Sequence, residues 1–104
     1  MAFGYVGSMR ARPGHRAEVV AILLEAADQI ASAGCSLYVV GVSETDPDLI
    51  VVSEIWQSRE HHAASLRLPE TRAAIERAMP MLTGEFTGQE LSLVGGLGVP
   101  ATLS

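Results

Sequence analysis

Residues 35–57, CSLYVVGVSETDPDLIVVSEIWQ, decide the fold. Two runs rich in β-branched residues, Cys35 to Glu44 and Leu49 to Gln57, flank Thr45-Asp46-Pro47-Asp48, whose Asp and Pro favour a turn. The pattern predicts an antiparallel hairpin. Neither run alternates cleanly, and both are apolar on two faces, as expected of strands covered by helices on one side and by a second layer on the other. Upstream, His15 to Ala33 reads as an amphipathic helix. Its polar side carries Glu18, Glu25, Asp28, Gln29 and Ser32, and its apolar stripe Val19, Val20, Leu23, Leu24, Ala27, Ile30 and Ala31. Ile22 falls toward the polar side, which suggests a contact beyond the helix's own sheet, and Gly34 is placed to end the helix. Before it, Ala2 to Arg12 carries Phe3, Tyr5, Gly7 and Met9 on one parity and stops at Pro13-Gly14, a strand ending in a turn.

Downstream, Ser58 is positioned to cap a helix beginning at Arg59, and Pro69 interrupts that helix before a second one from Glu70 to about Met79. Thr71, Ala74, Ile75, Ala78, Met79 and Leu82 share one side of this stretch, which Pro80 and Gly84 are expected to close. A last strand is predicted from Glu85 to Val94, with Phe86 and then Leu91 and Leu93 as its apolar positions, followed by a tail from about residue 95 that opens Gly95-Gly96-Leu97-Gly98. The order β-α-β-β-α-β over residues 1–104 predicts a single α+β domain of ferredoxin-like topology, an antiparallel sheet with its helices on one face. The other face is then bare unless two chains meet there. A homodimer pairing sheet to sheet is expected, because so large an apolar face is uncommon on a soluble monomer.

Composition narrows the function. The chain has 104 residues, 48% of them hydrophobic, and a formal charge of −5, with no Lys anywhere. Such a balance argues against nonspecific nucleic-acid binding, which draws on a basic surface. Mean hydropathy is +0.26 without an unbroken apolar run of bilayer length, so no membrane association is expected. Cys35 is the sole cysteine, which leaves no intrachain disulfide and no cysteine zinc cluster. At the start of an apolar strand it reads as a small buried residue and not a reactive thiol. The opening Met1-Ala2-Phe3-Gly4-Tyr5 lacks the basic and apolar regions of a secretory signal, and a cytoplasmic location is expected.

The densest group of chemically capable side chains is Ser53-Glu54-Ile55-Trp56-Gln57-Ser58-Arg59-Glu60-His61-His62, which holds the only Trp and two of the three His. Glu54 and Trp56, two apart on a strand, share a face with Val52 and Ile50. On the following helix His62, Ser65 and Leu66 lie together, with Leu66 expected to mark the buried side, so His62 and not His61 is predicted to face the sheet. A carboxylate, an indole and an imidazole then meet in one small space, a plausible proton-transfer pocket. The competing reading makes Trp56 a core anchor with its N–H on backbone, His62 a satisfied polar residue, and Glu54 the partner of an Arg at a dimer contact. His61-His62 is a poor metal pair, because adjacent helical residues diverge. Tyr38 and Tyr5 fit either a pocket or a dimer seam.

These residues resemble the antibiotic biosynthesis monooxygenase family of small dimeric α+β barrel proteins, and within it a quinol monooxygenase subgroup. The resemblance is carried by Arg10-Ala11-Arg12-Pro13-Gly14-His15-Arg16, by Ala33-Gly34-Cys35, by the Glu-x-Trp-x-Ser-x-Glu pattern of Glu54, Trp56, Ser58 and Glu60, by His62-Ala63-Ala64-Ser65-Leu66, and by Val94-Gly95-Gly96-Leu97-Gly98. It implies a dimer with a pocket for a small aromatic substrate between the sheet and the helices of each subunit. It implies catalysis without flavin, haem or metal, with O₂ as cosubstrate. The family's active-site Trp falls on Trp56, and the pocket Tyr of the anthrone-oxygenating members on His62. Their Asn and Arg fall on Val52 and Glu76, and a common family His on Ser65. Haem-degrading members carry Asn, Trp and His where this chain has Gly7, Ser65 and Ile75, which disfavours haem degradation. The expected function is a cofactor-independent monooxygenase of quinols or small polycyclic phenols. His62 is the candidate base, Glu54 its orienting group and Trp56 the stacking surface, with Val52, Tyr38, Ser65 and Leu66 as substrate contacts. The alternatives are a non-catalytic dimeric binder of small ligands and an O₂-independent, isomerase-like proton-transfer enzyme.

Overall fold

The computed structural model describes residues 2–99. Strands β1 (Ala2–Ala11), β2 (Cys35–Val42), β3 (Leu49–Trp56) and β4 (Leu82–Leu93) form one antiparallel sheet in the order β2-β3-β1-β4. Helices α1 (Arg16–Ile30), α2 (Arg59–Ser65) and α3 (Pro69–Ala78) complete the element order. This is the predicted ferredoxin-like α+β arrangement, with Pro69 dividing the second helical segment into α2 and α3. Of the predicted tail, residues 95–99 follow β4 without secondary structure, and 100–104 lie outside the described residues.

Register fixes which side chains meet. On β1, Phe3, Tyr5, Gly7 and Met9 pair across to Trp56, Glu54, Val52 and Ile50 of β3, and on the other side to Ser92, Glu90, Gly88 and Phe86 of β4. Directly opposed residues share a face, so all of these look toward the helices. The intervening residues place Val6, Val39, Ile55 and Leu91 on the opposite, uncovered face. Phe86 therefore faces the helices while Leu91 and Leu93 face away. The final strand also begins earlier than Glu85. Gly84, expected to close a helix, instead lies at φ 93° inside β4, beside the register shift between Met9 and Ala11.

Two clusters make the core. Ala11, Val19, Ile22, Ile50, Ala78 and Leu82 pack at one end of the sheet, and Phe3, Ile30, Cys35 and Trp56 at the other. Ile22, set on the polar side with a contact beyond the sheet, is instead core beside Ile50 and Ala78, and Leu24 of the expected stripe is 51% exposed. The buried line is Val19, Ile22 and Ile30, with Leu23, Ala26 and Ala27 half-buried beside it. That is an i, i+3, i+4 succession narrower than the stripe drawn from composition. After α1 the chain turns through a 3-10 segment (Ala31–Ala33) and ends at Gly34 with φ 102°. There an added Cβ would sit 2.7 Å from the His61 ring. Gly34 therefore serves both as a left-handed cap and as clearance for α2.

Candidate active site

Ser58 starts α2 as predicted, its Oγ accepting the His61 N–H at 3.1 Å. The same Oγ lies 2.6 Å from His61 Nδ1, which ties His61 to the helix start and turns it away from the sheet. His62, one residue on, points inward. Its imidazole stacks on Tyr5 with 4.9 Å between centroids and 26° between planes. It meets Trp56 edge-on at 5.3 Å and Phe3 at 5.4 Å.

Trp56 is fully buried and donates its Nε1–H to Glu54 Oε1 at 2.8 Å. The indole bond goes to a side chain and not to backbone, and Glu54 is held on the helix side of the sheet. The same carboxylate oxygen lies 3.8 Å from His62 Nε2, beyond direct hydrogen-bond range. Glu54, Trp56 and His62 therefore do meet, with the carboxylate shared between the indole and the imidazole.

Burial sets the protonation states. It raises the Glu54 carboxyl above its usual value, opposed by the bond from Trp56. It lowers His62, with Glu90 acting the other way. Tyr38, directly across from Glu54 on β2, is pushed up to about 12 by burial and then by the Glu54 charge. At neutral pH His62 is thus a free-base imidazole and Tyr38 an intact phenol, so the one can accept a proton and the other can donate a hydrogen bond. Burial also raises the Cys35 thiol, which fits the inert residue expected there.

These groups open on a cavity of about 390 Å³, within the usual range for a small-molecule site. All the sequence-predicted site residues line it: Glu54, Trp56, His62, Val52, Tyr38, Ser65 and Leu66. Ser65 and not Leu66 is the buried member of α2. Ser65 is 3% exposed and donates from Oγ to the His62 carbonyl at 2.7 Å, whereas Leu66 at the helix end is 49% exposed. Sequence reasoning left Tyr5 undecided and did not place Met9 or Phe86 at the cavity, though both line it. Their shared parity on β1 marked Tyr5 and Met9 as neighbours of Phe3; only the cross-strand register joins them to Glu54 and Phe86. Among the described residues no group of three or more His, Cys, Asp or Glu converges to hold a metal ion, and no helix is long and apolar enough to cross a membrane.

A ferredoxin-like sheet with a buried indole and a half-buried carboxylate and imidazole opening on an apolar cavity defines a small α+β domain with a candidate small-molecule site. The sequence matches the family model for Antibiotic biosynthesis monooxygenase over residues 2–77, and the chain belongs to that family. A crystal structure from Chloroflexus aurantiacus J-10-fl, named for the same family, is 40% identical with a TM-score of 0.84, covering 96% of this chain and all of that one. One from Caulobacter crescentus CB15, also so named, is 22% identical with a TM-score of 0.84, covering 90% and 91%. SnoaB from Streptomyces nogalater, described as a cofactor-independent oxygenase, shares the fold at 13% identity, with a TM-score of 0.79 over 94% and 98%. No curated protein matches the sequence.

Proposed function

We propose that this protein is a cofactor-independent monooxygenase, of the quinol-oxidising kind, acting on a quinol or small polycyclic phenol. The observation that carries the reading is the half-buried His62, its pKa lowered by burial, beside Glu54 and Trp56 at one end of an open apolar cavity. A cavity packed solid with side chains would have favoured a binder without catalysis.

In the proposed reaction His62 Nε2 takes the proton of the bound phenol or its keto tautomer, and Glu54 steadies the imidazolium. The flat anion lies in the cavity beside His62, shielded from water, where Tyr38 can donate a hydrogen bond to its oxygen. Trp56, expected to stack on the substrate, is fully buried and instead holds Glu54 in place. The electron-rich anion passes one electron to O₂, and the resulting radical and superoxide join in a C–O bond at a ring carbon that bears hydrogen. The imidazolium returns its proton to the peroxide, the O–O bond breaks with loss of that C–H, and water leaves. The sum is R₂CH₂ + O₂ → R₂C=O + H₂O, with O₂ as the sole oxidant. The protein binds, deprotonates and shields.

The same reading places the active form as a homodimer in the cytoplasm, with the uncovered sheet faces together. Val6, Leu37, Val39 and Leu91 of that face are each more than a third exposed in the single chain, a patch of the kind that packs against a second copy.

The test is O₂ consumption by the purified protein with reduced naphthoquinols and anthrones, corrected for autoxidation. Protein-dependent uptake that His62→Ala abolishes while the fold is kept is the expected result. No uptake across the panel, with ligands still bound, would move the assignment to a binding protein or an O₂-independent proton-transfer enzyme.

A further inference from the structure

The cavity has two chemically unlike ends, and the sheet register sets their separation. Glu54, Tyr5 and Tyr38 lie in one cross-strand row, and Ile50, Met9 and Phe86 in another four residues along. At roughly 3.3 Å per residue the rows are about 13 Å apart. The first row, with Trp56 and His62, carries the polar and ionisable groups. The second, with Ala74, Ala78, Met79 and Leu82, offers only carbon and sulfur side-chain atoms to the cavity. Between them Gly7 and Gly88 pair without side chains, and the Tyr5 ring lies over both, so a flat aromatic face joins one end of the cavity to the other. The apolar end is also the open one, with Ile75, Met79 and Phe86 at 45%, 48% and 51% exposure.

Charge adds a second constraint. The chain has no Lys, and none of its seven Arg lines the cavity. Arg10 is held by Asp46 and Glu85, Arg59 by Glu90 and Arg77 by Glu25. Arg12 donates to the Pro80 carbonyl and Arg16 to those of Ser43 and Asp46, while Arg67 and Arg72 stand exposed. Among the described residues Glu54 is the one carboxylate facing the ligand space.

We propose that the site takes an uncharged amphiphilic phenol. Its hydroxyl sits at Glu54 and His62, and an apolar extension, an alkyl chain or a further ring, runs along β1 to the Met9–Phe86 end. This rests on the ligand-binding part of the oxygenase reading and needs no O₂. A carboxylate on a ligand short enough to stop before the open rim would be desolvated, with no Arg among the cavity-lining residues to meet it. Each methylene buried there is worth about fourfold in affinity, so the apolar end selects for extension as firmly as it rejects charge.

Three probes that differ only at the position remote from the hydroxyl test this: 2-naphthol, 6-hexyl-2-naphthol and 6-hydroxy-2-naphthoate. Each is titrated calorimetrically into the full chain under argon. The hexyl compound is expected to bind thirtyfold or more tighter than 2-naphthol, and the naphthoate at least tenfold weaker. Ala74→Phe, which fills the apolar end, should erase the hexyl advantage. Phe86→Glu, at a rim position 51% exposed, should cut the same advantage. Hexyl and parent compounds within threefold of each other, a naphthoate bound as tightly as 2-naphthol, or no binding of any probe would each overturn the proposal. O₂ uptake with the hexyl compound is read separately. Selective binding without uptake upholds the amphiphilic ligand and rejects the oxygenase.

Discussion

The ring of Tyr5 lies flat between the His62 imidazole above it and two glycines below. It is stacked on His62 at 4.9 Å. A Cβ built on Gly7 would come within 2.8 Å of Tyr5 Cε2, and one on Gly88 within 3.0 Å of Cζ and closer to the hydroxyl. The paired glycines are a bed that sets the height of Tyr5, and Tyr5 in turn sets the plane of His62. Gly88→Ala should therefore lower kcat about tenfold or more through His62, with KM changed less. It should cost no more than about 1 kcal/mol of stability, because Gly88 is exposed on an edge strand. Tyr5→Phe keeps the stack and should retain activity, whereas Tyr5→Ala should behave like Gly88→Ala. Steady-state kinetics beside urea melts separate the effects; equal loss in Tyr5→Phe would mean that the hydroxyl and not the stack matters.

His62 gives the protein an acid-side signature. Burial lowers its pKa below the ordinary 6.5, so the unfolded chain holds more protons than the folded one between the two values, and stability rises with pH across that window. Below it the advantage is lost, since the folded state must bury an imidazolium. Two consequences are expected: kcat/KM with an acidic limb whose midpoint lies below 6.5, and a Tm that falls on acidification through the same range. His62→Gln should flatten the second while removing the activity that shows the first. A limb above 6.5 would place the titrating base elsewhere.

Much of this geometry was readable before the structure. The parity of Glu54 and Trp56, the turn at Thr45–Asp48 and the Ser58 cap are local signals, and local signals survive folding. They suffice to bring the carboxylate, the indole and the imidazole together. What failed was local in appearance and tertiary in cause. Leu24 reads as core on the wheel, yet half its surface stays exposed, while Ile22 is claimed by Ile50 and Ala78. Leu66 reads as the inward residue of α2, but the helix ends there and Ser65 takes the buried place. The Gly7–Gly88 pair joins residues 81 apart in sequence, and no periodicity reports a register across that distance.

The Trp56–Glu54 bond makes the single indole a sensor of its own partner. Glu54 titrates above the usual carboxylate value, and its Oε1 accepts the indole N–H at 2.8 Å. Emission from Trp56 should therefore titrate with a midpoint above 4.5. The measurement belongs in the His62→Gln background, where no imidazolium quenches the indole 5.3 Å away. Adding Glu54→Gln should abolish the transition. Trp56→Phe, which leaves the buried acceptor without its donor, is expected to cost about 1–3 kcal/mol. A midpoint at or below 4.5 would mean that the bond from Trp56 outweighs burial in setting the state of Glu54.

The uncovered sheet face supplies the last prediction. Val39 and Val6 flank Ser53 in one row of that face, at 50% and 39% exposure, and both look away from the cavity. In the proposed sheet-to-sheet dimer a charge at either position is buried twice, once from each copy, against apolar neighbours and a like charge. Val39→Glu should convert the dimer to monomer in light scattering at micromolar concentration. On the single chain the same side chain stands in water and costs little. Because the sheet separates Val39 from His62, 2-naphthol binding should change less than threefold in the variant. A Val39→Glu protein that stays dimeric would move the interface off this face, and a monomer that loses 2-naphthol binding would show that the second copy shapes the cavity through the sheet.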